Sequence, residues 1–239
     1  MRDRKEDGFV ERFETEILSG LYAPGDRLPA ERELADSHGV SRPVVHGAMR
    51  QLATRGLLRI EPRQGIFVSD FRREGSVEIL LSLINFAGGE LAPDILDGLL
   101  EMRLLLETET ARLAALRAGP EDIADLEKLL ARETLFEYRE PRDATLIDYD
   151  FHFAVALASG NAVYPLLLNS LKKVYEILLD RFYADPAVVP EVFKMHRKLH
   201  AAIAAKNPRA ASEAMRRILG FGEEGLRARM TEGEAAHDA

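Results

Sequence analysis

The sequence has no cysteine and no tryptophan among its 239 residues. Without cysteine there is no disulfide framework, no thiolate metal site and no cysteine nucleophile, which suits a reducing compartment and a core that holds without covalent staples. Long apolar runs are also missing: none approaches the roughly 20 residues a helix needs to span a bilayer. The opening MRDRKEDGF is too charged for the hydrophobic stretch of a secretion signal. These absences predict a cytoplasmic protein without a membrane partner. Internal repeats, low-complexity tracts and sustained heptads are lacking as well.

Hydrophobic residues make up 46% and charged residues 30%, the balance of an ordinary globular chain. A net charge of -8 argues against a polyanionic partner when spread over the whole surface. Its distribution argues otherwise. Residues 41–73 hold seven arginines against only Glu61 and Asp70, a stretch of net charge +5. A basic segment on an acidic chain can mark a nucleic-acid face, although solvated arginines on a plain surface remain the alternative, and charge alone does not choose.

Hydrophobic spacing separates the two readings. Phe9, Val10, Phe13, Ile17 and Leu18 fall at helical intervals and Gly20 stops them. A Pro/Gly loop at 22–26 leads to a short helix over 30–38, a turn at Gly39, and a second helix capped by Ser41 and running to about Arg55, with Pro43 in its first turn. Two short apolar runs, 57–60 and 66–68, flank a Pro/Gly turn and predict a hairpin. Helix, helix, turn, helix, hairpin is the order of a winged helix-turn-helix, in which the second inner helix lies in the DNA major groove. Val45, Met49 and Leu52 form the buried side of that helix, and Ser41, Arg42, His46 and Arg50 its outer side. From Ser76 the pattern is helical throughout, with segments over 76–87, 93–118, 120–139, 144–158, 162–184, 187–205 and 208–230. Gly88-Gly89, Gly119-Pro120 and Asn207-Pro208 are among the breakers between them. The expected fold is mainly α: a winged helix-turn-helix over 1–72 and an all-α bundle over 73–239.

The stretch LPAERELADSHGVSRPVVHGAMRQLATRGLLRIEPRQGIFV resembles the DNA-binding domain of the GntR family of bacterial transcription regulators, with loop, helices, turn and wing in order across roughly residues 9–69. The resemblance implies DNA contacts by Arg32, by Ser41, Arg42 and Val44 at the start of the recognition helix, and by Gly65 beside Gln64 at the wing tip. It also implies a departure. Family members usually carry arginine where this chain has His46, and arginine grips guanine bidentately, so the operator preference is expected to differ.

The helical half is similar to the effector-binding and dimerisation domain of the FadR-like branch. LLEMRLLLETETARLAA at 99–115 carries Arg103 where the branch keeps a cavity-facing arginine. DYDFHFAVALASGNAVYPLLLNSLKKVYEILLDRFYADP at 148–186, with Tyr164 and Asn169, is similar to the fatty-acid-responsive members. Arg103, Tyr164 and Asn169 are the implied effector contacts, the effector being a small carboxylate or a fatty acyl-CoA. Pairing of Arg103 with Glu101 or Glu107 along its own helix is the plainer reading. Phe151, Phe153, Tyr164, Tyr175, Phe182 and Tyr183 are read as core.

Asp148 and His152 stand four apart, on one helical face as metal ligands do, and His196 and His200 repeat that spacing. In metal-binding members of the branch the ligands are an Asp, a His four later, a His opening the second-last helix and a His on the last. The resemblance therefore implies Asp148, His152 and His196 as ligands of Zn2+, Ni2+ or Mn2+, with Ile218 where the fourth is expected. The other reading is a metal-free polar pocket. Functionally, the resemblance implies a regulator, mainly a repressor and no enzyme, binding a palindromic DNA operator as a homodimer. The alternative is a metal-dependent hydrolase using Asp148, His152 and His196, although no HExxH or comparable signature accompanies them.

Overall fold

A computed structural model describes residues 2–86 and 91–237; the Gly88-Gly89 breaker lies outside them. The chain forms two compact units, Met1–Ala92 and Pro93–Ala239.

In the first unit α1 (Arg2–Leu18) turns Phe9, Val10, Phe13 and Ile17 inward. It begins well before Phe9, where the apolar spacing starts. Next, α2 (Glu31–His38) opens with Glu33 accepting the Ala30 N–H at 3.0 Å and ends at Gly39, whose φ of 65° is the left-handed conformation that closes helices. Then α3 (Arg42–Thr54) follows Ser41, and Val45, Ala48, Met49 and Leu52 are fully buried. Full burial of a large apolar side chain contributes roughly 1.5–3 kcal/mol, so packing rather than intrinsic propensity holds helices this short.

Two strands, β1 (Leu58–Glu61) and β2 (Gly65–Val68), pair antiparallel with Leu58 opposite Val68 and Ile60 opposite Ile66. Arg27 bridges to Phe67 and lengthens this wing at its edge. A single turn, α4 (Phe71–Glu74), is capped by Asp70, which accepts the Arg72 N–H. After it comes α5 (Ile79–Phe86), which belongs by its contacts to the first unit: Ile79 joins the core, and buried Glu14 accepts hydrogen bonds from the Ser82 hydroxyl (2.7 Å) and from Arg55. The contact boundary falls between Ala92 and Pro93, beyond α5.

The second unit is all helix among the described residues: α6 (Pro93–Arg117), α7 (Pro120–Thr134), α8 (Pro141–Ala158), α9 (Val163–Ser170), α10 (Lys172–Phe182), α11 (Val189–Ala204) and α12 (Pro208–His237). Ala111, Ala114 and Ala115 on α6 are small enough for Phe151 and Val155 of α8 and Leu199 of α11 to pack in one cluster with them. Several boundaries differ from the sequence pattern, and α8 opens at Pro141 rather than at 144. The helix expected over 120–139 stops at Thr134, and the following segment packs Phe136 edge-on to Phe193 and bonds the Tyr138 hydroxyl to the Tyr183 carbonyl at 2.6 Å. The helix expected over 162–184 breaks at Leu171, which no glycine or proline marks. The last helix runs on to His237 rather than stopping near residue 230.

Candidate nucleic-acid interface and effector site

The outer side of α3 is built as its spacing implies. Ser41, Arg42, His46 and Arg50 are exposed, as are Arg32 on α2 and Gln64 at the wing, with Gly65 half-buried beside it. Ser41 makes no side-chain capping bond, which leaves its hydroxyl available at the helix start. Val44 is a correction: at 4% exposure its side chain lies in the core and not on this face. His46 is tethered by its Nδ1, which donates to Glu31 Oε1 at 2.9 Å, since a carboxylate only accepts.

A second site lies inside the helical unit. Asp148 and His152 of α8 meet His196 of α11, with one ligand atom from each lying within 4.8 Å of the others. All three residues are at most 3% exposed. His152 Nδ1 bonds Glu107 of α6, and His196 Nδ1 donates to Glu133 Oε1 of α7 at 2.6 Å. Each carboxylate keeps the proton on Nδ1 and aims Nε2 at Asp148. The Tyr183 hydroxyl donates to Asp148 Oδ1 at 2.7 Å. Asp148 Oδ2, His152 Nε2 and His196 Nε2 are then left buried without a hydrogen-bond partner. Both Nε2 atoms lie near Asp148 Oδ1, at 3.9 and 3.5 Å. Buried polar atoms are rarely left unpartnered, and a carboxylate with two imidazole nitrogens is a donor set that fits a divalent cation.

The charges of the cluster act on one another. Burial alone would raise the Asp148 pKa, but the charges of His152, His196 and Arg103 outweigh it and hold the carboxyl well below its ordinary range. Burial would lower the pKa of His196, yet the carboxylates of Asp148, 3.5 Å from Nε2, and of Glu133 raise it. The cluster thus favours positive charge on the imidazoles around the Asp148 carboxylate.

Beside this cluster is a cavity of about 30 Å³, whose lining includes Arg103, Asp148, His152, Tyr175, Phe182 and Ile218. That volume suits one or two water-sized groups. Arg103 Nε donates to Glu107 Oε1 at 2.5 Å, and its guanidinium lies 5.2 Å from the Tyr175 ring centre. The helical pairing and the cavity placement of Arg103 are therefore both present. Burial would push the Glu107 pKa up, but Arg103 and His152 bring it down to about 2. Tyr164 and Asn169 are not brought here: they lie on α9, outside the cavity lining, Asn169 exposed. His200 is likewise apart, near Glu127 at 3.9 Å. Ile218 stands at the cavity and supplies no ligand atom. Of the aromatic set, Phe151 is core and stacks on His196 at 4.0 Å, while Tyr175 and Phe182 face the cavity.

Sequence reasoning missed Glu133, Tyr183 and the second bond of Glu107. Glu107 had a signal, four residues after Arg103, but nothing local links Glu133 to a histidine 63 positions away.

Residues 7–68 match the family described as "Bacterial regulatory proteins, gntR family", and residues 98–221 match the "FCD domain". The HTH-type transcriptional regulator Mce2R of Mycobacterium tuberculosis is 33% identical over 211 residues, covering 87% of this chain and 86% of that one. The fatty acid metabolism regulator protein of Salmonella typhi is 32% identical over 194 residues, covering 80% and 78%. Among solved structures, McbR/YncC of E. coli shares the fold with a TM-score of 0.53 at 20% identity, covering 96% of this chain and 98% of that one.

Proposed function

Because the chain belongs to the GntR family of bacterial regulatory proteins and carries an FCD domain, we propose that it is a repressor whose operator affinity is set by a small carboxylate bound beside a divalent metal ion. It is a transcriptional regulator with a DNA-binding domain and an effector-binding domain. The hydrolase alternative is set aside, since its relatives are regulators and not enzymes.

The effector reading rests on one observation: Asp148, His152 and His196 are buried with a ligand atom of each within 4.8 Å of the others, and Asp148 Oδ2, His152 Nε2 and His196 Nε2 have no hydrogen-bond partner. These three would hold Zn2+, Ni2+ or Mn2+, and the ion would supply Lewis acidity to hold an acidic ligand. With Ile218 in place of a further ligand, the open side of the site faces the cavity and Arg103. Arg103 would bind the effector's carboxylate through its guanidinium, the strongest class of hydrogen bond available there. In the first unit Arg32, Ser41, Arg42, His46, Arg50, Gln64 and Gly65 would contact DNA. A homodimer would set two recognition helices on a palindromic operator, and effector binding would change their spacing. Among the described residues no helix is long and apolar enough to cross a membrane. A cytoplasmic location would follow from the DNA-binding role.

A second reading has its own support. The 32%-identical relatives named fatty acid metabolism regulator, together with Leu99, Leu178, Leu179 and Phe182 on the cavity wall, favour a fatty acyl-CoA. Against it stands the cavity volume of about 30 Å³, far below the roughly 300–1,000 Å³ of a drug-sized pocket. A long acyl chain would require the surrounding helices to part.

Native mass spectrometry with elemental analysis of the same sample tests the choice. A dimer with stoichiometric transition metal supports the small-carboxylate reading. A metal-free dimer that takes up oleoyl-CoA overturns it in favour of the second.

A further inference from the structure

Of the side chains on the outer side of α3, Ser41, Arg42, His46 and Arg50, only His46 is bonded to another side chain among the described residues. Its Nδ1 donates to Oε1 of Glu31, the first residue of α2 and 15 positions back, so the bond ties the recognition helix to the helix before it. Val45 and Met49 of the same helix are fully buried and fix the backbone from which the ring projects. The ring itself stays open to solvent, at 61% side-chain exposure against 26% for Glu31.

This bond decides what the ring can offer a ligand. A carboxylate only accepts, so Glu31 assigns the proton to Nδ1. A neutral imidazole has one N–H and one lone pair. With the N–H held by Glu31, Nε2 is left as an acceptor, and it has no hydrogen-bond partner among the described residues. An untethered ring could switch tautomers and present a donor instead. Arg42 and Arg50, four residues to either side on the same face, are donors only. His46 thus sets an acceptor between two donor-only side chains.

Base edges in the major groove respond differently to such an acceptor. Guanine shows the acceptors N7 and O6 and thymine shows O4, whereas cytosine shows the N4 amino donor and adenine the N6 donor next to its N7 acceptor. A lone pair is matched by an amino group and repelled by a keto oxygen. Cytosine is the better of the two amino bases, because the lone pair of adenine N7 would face that of the imidazole.

We infer that Glu31 and His46 form a base-reading pair: Glu31 positions the ring, and Nε2 accepts from the N4 amino group of a cytosine in the major groove of the operator, with adenine second. The inference rests on the operator-binding reading above and names the base that this position selects.

The test is selection from a random duplex pool, using the full chain and its His46→Ala, His46→Arg, Glu31→Ala and Arg42→Ala variants, each checked by thermal melting. Affinities are then measured for duplexes carrying each of the four bases at the position whose preference changes in His46→Ala. The wild type is expected to bind the cytosine duplex roughly three- to tenfold more tightly than the guanine or thymine one, as a single net hydrogen bond allows. His46→Ala should level the four, and His46→Arg, a bidentate donor, should reverse the order in favour of guanine. Glu31→Ala keeps the ring and frees its tautomer, so the advantage of cytosine should shrink toward parity with guanine. A wild-type preference for guanine at that position would overturn the inference, making the ring a donor. A cytosine preference undiminished in Glu31→Ala would overturn it as well, since the carboxylate would not set the ring. Unchanged preferences in His46→Ala, with binding weakened in Arg42→Ala, would overturn it and leave the operator reading standing. A wild-type chain that binds no duplex would overturn both readings.

Discussion

His196 and Glu133, 63 positions apart, meet through a 2.6 Å hydrogen bond between Nδ1 and Oε1, both side chains fully buried. A carboxylate in that place has one chemical effect. It holds the imidazole in the tautomer that offers Nε2, and it makes that nitrogen a stronger donor of its lone pair. Glu107 repeats the arrangement on His152, so two helices outside the ligand set determine how the ligands face.

Glu133→Gln and Glu107→Gln are therefore expected to weaken metal binding about 10- to 100-fold without removing a ligand. Competition against a chromophoric chelator with Zn2+ or Ni2+ reads this directly. His152→Ala should lose binding altogether. Affinities equal to wild type in both glutamine variants would show that these carboxylates do not orient the histidines.

Ile218→His should tighten metal binding by tenfold or more, because it adds a nitrogen donor at the cavity wall next to Asp148 and His152. The same variant should bind a small carboxylate such as acetate less well, the open position being filled. An unchanged metal affinity would mean that the Ile218 side chain does not point at the ion.

Chelation should lower thermal stability. A ligand present at 100 times its dissociation constant adds about 2.7 kcal/mol to the folded state, so stripping the metal with EDTA and restoring it should move the melting temperature down and back. Asp148→Asn should show no such response. A wild-type melting curve indifferent to both treatments would remove the metal from the account.

Arg42→Ala should weaken operator binding about tenfold while the melting curve stays near wild type, since the residue is exposed and makes no internal ion pair among the described residues. Equal affinity in a filter-binding or anisotropy assay would contradict a role at the interface.

Arg103→Ala should leave operator binding intact and abolish the response to whichever probe the wild type answers, acetate or oleoyl-CoA. It also removes the partner of Glu107, which at 1% exposure would keep a buried charge with only His152 to balance it. Some loss of stability is therefore expected, about 3–5 kcal/mol where a buried pair is broken. Arg103→Lys, which retains the charge, separates that effect from recognition. A full response in Arg103→Lys with none in Arg103→Ala would mean that charge alone, rather than the guanidinium fork, engages the effector.

The order of elements in the first unit was legible because each is specified by neighbours in the chain. Phe9 to Leu18 repeat at helical spacing, Gly39 supplies the left-handed turn, and Ser41 with Pro43 starts the recognition helix. The Asp148 and His152 pair was legible for the same reason, four residues being one helical turn. The resemblance groups Val44 with Ser41 and Arg42 as a DNA contact, while the packing of α3 turns its side chain inward.

What the sequence by itself determined, then, are features whose cause is local: helix spacing, caps, the wing, and which residue types could ligate or carry charge. Tertiary structure decided what distant residues do to one another. It brought Glu133 to His196 and Tyr183 to Asp148, took Tyr164 and Asn169 away from the cavity, and put Glu31 beside His46. Burial sets these outcomes. Only where water is excluded does a polar atom without a partner become costly, and which atoms are so excluded depends on how the helices pack.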